Sequence, residues 1–296
     1  MPRQPAAADD YSVLQQLEFR KYQKLQIESP EPGLDVVTLS QPPMNPLSDQ
    51  MFLELAHYFQ RLRTDLSVRV VIIRAEGKAF CAGLDLKEQS GTDGVGSQPP
   101  EALKVDPVLQ LQRRVSDVIR QMRACPQPIV CCIQGAAAGG GFGLALASDV
   151  RLCTNAARFN VAMIRIGLSG CDIGISYHLP RLVGASTASE FILTGRQMSS
   201  DRALRCGLVS AVYQTQAQMD EAARTLAADM LSNSAIGLRY SKETLNQNID
   251  APSLDAALLL EDRTQNVIAI SNADDIQMRM NSFVGPNRNK RPISKL

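Results

Sequence analysis

The run Gly139–Asp149, GGGFGLALASD, sets three successive glycines ahead of an apolar stretch with no charge before Asp149. Glycines let a backbone turn tightly, and the first N–H groups of a helix have no partner inside that helix. Backed by the helix dipole, such groups hold negative charge on a ligand. The dinucleotide fingerprint G-x-G-x-x-G is not met: counted from Gly139 its last place is Leu144, and counted from Gly135 its third is Ala137. Glycines that only allow close helix–strand packing are the alternative.

A second loop has the same character. AFCAGLDL, Ala79–Leu86, sets Gly83 and Leu84 between an expected strand and a polar segment. One N–H from here and one from the glycine turn, aimed at one oxygen, would form an oxyanion hole. That arrangement stabilises an enolate or a tetrahedral intermediate.

Composition narrows the rest. The 296 residues are 45% hydrophobic, enough for a large core, and a net charge of +1 gives no reason to expect nucleic acid. Seven cysteines without CxxC spacing read as buried free thiols of a reducing compartment, and His57 and His178 lie far from any cysteine pair, so no metal is expected. MPRQPAAADDYS has no apolar signal-peptide core. PIVCCIQGAAAGGGFGLALA is apolar enough to suggest a membrane span, but Pro128, Gln134 and five glycines make it a strand, a turn and a buried helix. Membrane insertion is therefore not expected. Ser294-Lys295-Leu296 follows the basic stretch NRNKRPI; a C-terminal SKL is an address read by the peroxisomal import receptor.

The elements that must position the two loops alternate between strand and helix. KLQIES and LDVVTL read as strands about the turn PEPG, and a helix is expected from about Asp49 to Arg63, with Met51, Leu55, Tyr58, Phe59 and Leu62 on one face. VRVVIIRA, PIVCCIQG and DVRLCT are further strands, ARFNVA a short one, and Pro107–Ala124 a second long helix. SGTDGVGSQPP has too few apolar residues to pack. The alternation is that of an α/β protein. We expect an N-terminal extension over residues 1–20, an α/β core over 21–215 and a helical region over 216–296.

Five motifs, GKAFCAGLDLKE, IVCCIQGAAAGGGFGLALASDVRL, RIGL, LPRLVG and LTGRQMSSDRALRCGLV, resemble the enoyl-CoA hydratase/isomerase (crotonase) superfamily in order and spacing, from about Leu25 to Lys242. The resemblance implies a spiral of ββα units, two nearly perpendicular sheets, and C-terminal helices that assemble trimers or hexamers. It implies an acyl-CoA thioester as substrate, with coenzyme A arriving as part of it and no other cofactor. The family's oxyanion hole maps onto the N–H groups of Leu84 and Gly140. Its hydratases use two glutamates, and the matching positions here are Gly143 and Met163, neither of which can carry a proton. Asp172, in GLSGCDIGISYHLP, matches the acid of the family's dienoyl-CoA and Δ3,Δ2-enoyl-CoA isomerases, after a loop one residue longer. A single carboxylate suffices to move a proton from C2 to C4. The alternative for Asp172 is a helix cap.

Other groups near the motifs have structural readings. Cys171 is expected to be a buried thiol, His178 to pack or hydrogen-bond within the fold, and Asp85 to hold its own turn. Lys87, Lys104 and the basic tail could meet coenzyme A phosphates, and Arg165 places a positive charge where dienoyl-CoA isomerases have an acid nearby. The expected activity is isomerisation of an unsaturated fatty acyl-CoA in β-oxidation, in a peroxisome or glycosome. The competing expectations are a hydratase with relocated acids, using Asn160 or Tyr177 beside Asp172, a dienoyl-CoA isomerase, and an acyl-CoA-binding protein without turnover.

Overall fold

Leu25–Glu31 (β1) and Leu34–Leu39 (β2) pair antiparallel across a short turn. The computed structural model describes residues 21–89 and 105–284, so the N-terminal extension, Lys104, the whole of SGTDGVGSQPP and the SKL tail lie outside the described residues. Asp49–Leu62 (α1) is started by Ser48, whose hydroxyl accepts the Met51 N–H. A cap of this kind contributes about 1 kcal/mol. The expected apolar face of α1 is buried along its whole length.

Val70–Ala75 (β3), Leu86–Gln89 (α2) and Val105–Ala124 (α3) follow. Then Ile129–Ile133 (β4) runs into Ala136–Ala138 (β5) and the helix Gly140–Ala147 (α4). Val150–Thr154 (β6) and Arg158–Asn160 (β7) repeat the strand–strand step, ending in a 3-10 turn over Ala162–Ile166. Ile175–Val183 (α5) is the helix that the capping alternative for Asp172 requires, and Ala185–Thr194 (α6) has no separate counterpart in the sequence reading. Met198–Ser199 (β8), Ser200–Arg205 (α7) and Ala211–Tyr213 (β9) complete the α/β part.

Two sheets result. The larger has the order β1-β2-β3-β4-β6-β9, parallel from β2 onward; the smaller is β5-β7-β8. The repeated step from a strand of the large sheet to one of the small sheet and then to a helical turn is the expected spiral. β2 and β4 are buried at every residue, as parallel strands covered on both faces must be. Their alternate side chains enter different cores. Val37, Ile73, Cys131 and Cys153 face α1, α3 and α4, whereas Val36, Ile72, Val130 and Leu152 meet Met219, Ala223 and Ala227.

Those last three belong to Gln216–Ser232 (α8), so the helical region expected from 216 begins with a layer of the core. The helices Ala235–Asn248 (α9), Leu254–Ser271 (α10) and Ala273–Val284 (α11) differ. Lys242 is the one buried residue of α9, and α10 has none. No helix among the described residues is long and apolar enough to cross a membrane.

Candidate active site

Backbone pairing draws the two glycine loops together. Leu47 donates its N–H to the Gly83 oxygen at 2.8 Å and accepts the Asp85 N–H at 3.1 Å. In a parallel bridge the residue between two such partners turns its own N–H to the opposite side, so Leu84 points its N–H away from Leu47. On the other flank Cys81 donates to the Ala136 oxygen at 3.0 Å and accepts from Ala138 at 2.9 Å, fastening this loop to β5. The Gly139 N–H is taken by the Asn160 oxygen at 3.0 Å, and Gly140 opens α4. Among the described residues, neither the Leu84 N–H nor the Gly140 N–H has a protein acceptor.

Two glycines make this approach possible. Gly83 has φ +93°, and a Cβ there would fall 2.8 Å from the Ala138 oxygen and 3.3 Å from the Gly140 nitrogen. A Cβ on Gly141 would fall 2.4 Å from the Cys81 oxygen. The 2.8 Å and 2.4 Å approaches to carbonyl oxygens are closer than real Cβ atoms come, so close backbone packing and donor presentation use the same residues.

Leu84 and Gly140 line a cavity of about 150 Å³. Its walls are mostly apolar: Phe52, Leu86, Val115, Met163, Ile166 and Leu168. Gln112 and Asp172 are polar, and Asp172 is the only ionisable group among the described lining residues. A wider, open groove of about 830 Å³ runs along β1 and α1. Its polar groups are tied to one another: Tyr22 to His57 at 2.9 Å, and Asp35 to Ser29 at 2.7 Å and to Tyr58 at 2.9 Å. The small apolar cavity holds the donor pair, so size does not choose the site.

Asp172 is held from two directions. Its Oδ1 accepts the Ile173 N–H at 2.7 Å and a hydrogen bond from Nε2 of Gln112 on α3. Helix α5 is started by Gly174, without any side-chain cap. The capping alternative for Asp172 is thereby corrected: its side chain stops before the helix and stays at the cavity. Ile173 has φ +46°, a region that β-branched residues avoid at a cost of about 1–3 kcal/mol. A Cβ on Gly143 would fall 2.9 Å from Cγ2 and 3.0 Å from Cγ1 of Ile173. The space beside Gly143 is therefore filled by isoleucine. Met163, the other position of interest, is buried and lines the cavity.

The remaining candidates lie elsewhere. Cys171 was expected to be buried and is exposed, because the apolar letters before it form a surface: Ile166 and Leu168 are each more than half exposed. Burial pushes Cys81, Cys131 and Cys153 up to about 12, which keeps them thiols. His178 packs edge-on against the Tyr177 ring at 4.9 Å. Burial first, then Arg123, Arg151 and Arg181, lower it to about 4. The Tyr177 hydroxyl bonds to Asp250 and Asn160 gives its carbonyl to Gly139; neither lines the cavity. Asp85 accepts the Lys87 N–H at 3.1 Å, as a turn residue does. Lys87 and Arg165 are exposed. No cluster of His, Cys, Asp or Glu among the described residues could hold a metal ion.

Gln112 and Ile173 are site residues that sequence reasoning missed. Gln112 sits in the ordinary amphipathic pattern of α3, and its meeting with Asp172, 60 residues on, has no local signal. For Ile173 the one available signal was its neighbour Gly174, which marks a chain reversal.

Comparison with known proteins identifies relatives of the whole chain. The family model described as enoyl-CoA hydratase/isomerase matches residues 30–290. A Mycobacterium bovis protein named "Probable enoyl-CoA hydratase" is 34% identical over 249 residues, covering 84% of this chain and 86% of that protein. The mitochondrial Delta(3,5)-Delta(2,4)-dienoyl-CoA isomerase of Rattus norvegicus is 32% identical over 242 residues, 79% of this chain and 72% of its own. The crystal structure of an enoyl-CoA hydratase from Bacillus anthracis superposes with a TM-score of 0.78 at 27% identity, over 88% of this chain and 95% of the other.

Proposed function

Since this chain belongs to the enoyl-CoA hydratase/isomerase family, we propose that it moves a double bond in an unsaturated acyl-CoA, with Asp172 as its single proton carrier. One observation carries this reading: two unpaired N–H groups and one carboxylate share a cavity whose other described walls are apolar, apart from Gln112. The Leu84 and Gly140 N–H groups receive the thioester oxygen. Asp172 takes a proton from C2, and the C–H electron pair passes into an enolate conjugated with the C3–C4 double bond. The same carboxyl returns the proton to C4, leaving the double bond between C2 and C3. The dipole of α4 and the two donors stabilise the oxyanion throughout. No activated water and no second acid enter. Relatives named hydratase and isomerase both match this chain, so the choice rests on the side chains present here.

Assembly and address belong to the same proposal. Leu245 of α9, Ile249 just beyond its end, and Leu254 and Ile270 of α10 are all more than half exposed, which supports a trimer or hexamer in which neighbouring subunits cover them. The Ser294–Leu296 ending supports delivery by the peroxisomal import receptor to a peroxisome or glycosome.

The test is turnover of 3-enoyl-, 2-enoyl- and 3,5-dienoyl-CoA by the wild type and by Asp172→Asn. Isomerisation of the 3-enoyl substrate that falls about 10²–10⁴-fold in the variant is the expected result. Undiminished isomerisation would remove Asp172 from the mechanism. Tight binding without turnover would make the chain an acyl-CoA-binding protein.

A further inference from the structure

We propose that Ile173 is the residue that sets the reaction outcome, by closing the floor of the cavity to water. Three observations converge on it. Its side chain occupies the volume beside Gly143, with three of its atoms within 3.2 Å of where a Cβ on Gly143 would lie. Its Cδ1 reaches 3.8 Å from the corresponding point on Gly140, next to the helix N–H that opens α4. Its backbone adopts φ +46° although it is β-branched and 4% exposed. Asn45 is the only other non-glycine residue with positive φ among the described residues.

The strain has a geometric result. With Gly174 at φ +75° beside it, the left-handed pair reverses the chain between the cavity and α5. The reversal lets one residue do two things. The Ile173 N–H orients Oδ1 of Asp172 at 2.7 Å, while its side chain turns into the niche against α4. A proton carrier and an apolar plug are therefore set side by side by consecutive residues.

This inference rests on the isomerase reading and deepens it. A conjugated enoyl thioester bound at the same donors can also add water. The water oxygen bonds to C3, the electron pair of the C2–C3 double bond passes into the enolate, one water proton goes to Asp172, and the carboxyl then delivers a proton to C2. That step needs a water near Asp172 and C3. The Ile173 side chain denies it room, so the carboxyl exchanges protons with carbon only. Truncation to alanine opens space for about two waters, with Asp172 as a polar partner.

The experiment measures hydration of 2-enoyl-CoA and isomerisation of 3-enoyl-CoA by the full-length wild type, Ile173→Ala and Ile173→Gly, with Tm measured for each. Glycine also relieves the left-handed strain, which keeps one variant foldable if alanine does not fold. The expected result is a rise of about tenfold or more in the ratio of hydration to isomerisation in the folded variants. A ratio unchanged while isomerisation persists overturns the role of Ile173 and leaves the isomerase reading standing. If the wild type does not isomerise, that reading falls instead. Hydration appearing in the variants then still supports the plug, and its absence overturns it.

Discussion

Gln112 on α3 donates a side-chain hydrogen bond to Oδ1 of Asp172, 60 residues later in the chain. The same oxygen accepts the Ile173 N–H, so one carboxylate oxygen is gripped by two donors while Oδ2 has no described partner. A carboxylate that must reach C2 and then C4 benefits from a fixed pivot and a free oxygen. Gln112→Ala removes the movable half of that grip. We expect kcat for 3-enoyl-CoA isomerisation to fall about tenfold, with little change in KM, because the lost contact aligns the base rather than binding coenzyme A. Steady-state kinetics decide it; a rise in KM alone would assign Gln112 to substrate binding.

Gly83→Ala tests the donor loop. The new Cβ would meet the Ala138 oxygen at 2.8 Å as well as the unfavourable φ of +93°. Gly167 provides the comparison, since it has φ +86° with nothing within 4 Å of its would-be Cβ. Gly167→Ala should cost about 1 kcal/mol from backbone strain alone, and Gly83→Ala about 2–3 kcal/mol. Displacing the Leu84 N–H from the oxyanion should also lower turnover about 10²-fold. Denaturant melts and activity together separate strain from displacement. Equal stability losses would mean that the Gly83–Ala138 approach is looser than described.

Leu84, Gly140 and Asp172 were singled out by the resemblance of their motifs to the enoyl-CoA hydratase/isomerase superfamily, while the two glycine loops were also legible by themselves, because glycines at a turn are a local signature. All three line the same cavity. The long amphipathic helices and the β-branched strands were legible for the same reason, their periodicity being local. β5, by contrast, is Ala136–Ala138, and alanine has no strand preference; pairing with β7 imposes the conformation. Ile173 shows the opposite conflict, where propensity forbids the φ that packing enforces. Cys171 misled because apolar neighbours signal burial only when something covers them, and Leu168 is 56% exposed. Gln112 depended on a long-range approach that no spacing encodes.

Asp149, at the end of the glycine-led stretch, ties the C-terminal helices to the core. It accepts from Arg123 at 2.9 Å, from the Ile129 N–H at 2.8 Å and from Lys242 of α9 at 2.9 Å. The Lys242 side chain is only 4% exposed and also donates to the Gln127 oxygen at 2.7 Å. The two ends of this pair should not be equivalent. Lys242→Met leaves Asp149 with Arg123 and a backbone donor, and is expected to cost about 2 kcal/mol. Asp149→Asn leaves a buried ammonium without its carboxylate and should cost about 3–5 kcal/mol. Chemical denaturation of both variants gives the order; the reverse order would mean that Arg123 is the essential partner.

His178 gives the fold a pH dependence with a definite sign. Burial in α5, with Arg123, Arg151 and Arg181 adding repulsion, lowers its folded value from the usual 6.5 to about 4. Between those values the unfolded chain binds a proton that the folded chain refuses, so stability falls as the pH falls through this window. The contribution is fully present above the ordinary histidine range. The ring is only half-buried, so solvent screening reduces the effect to on the order of 1 kcal/mol. Carboxylates titrate in the same range, which makes the difference between two proteins the informative quantity. From about pH 7 to about pH 4.5, the wild type should lose roughly 1 kcal/mol more stability than His178→Asn, which cannot take up the proton. Parallel curves for the two would mean that the folded protein accepts the proton on His178 and that the three arginines lie too far away to oppose it.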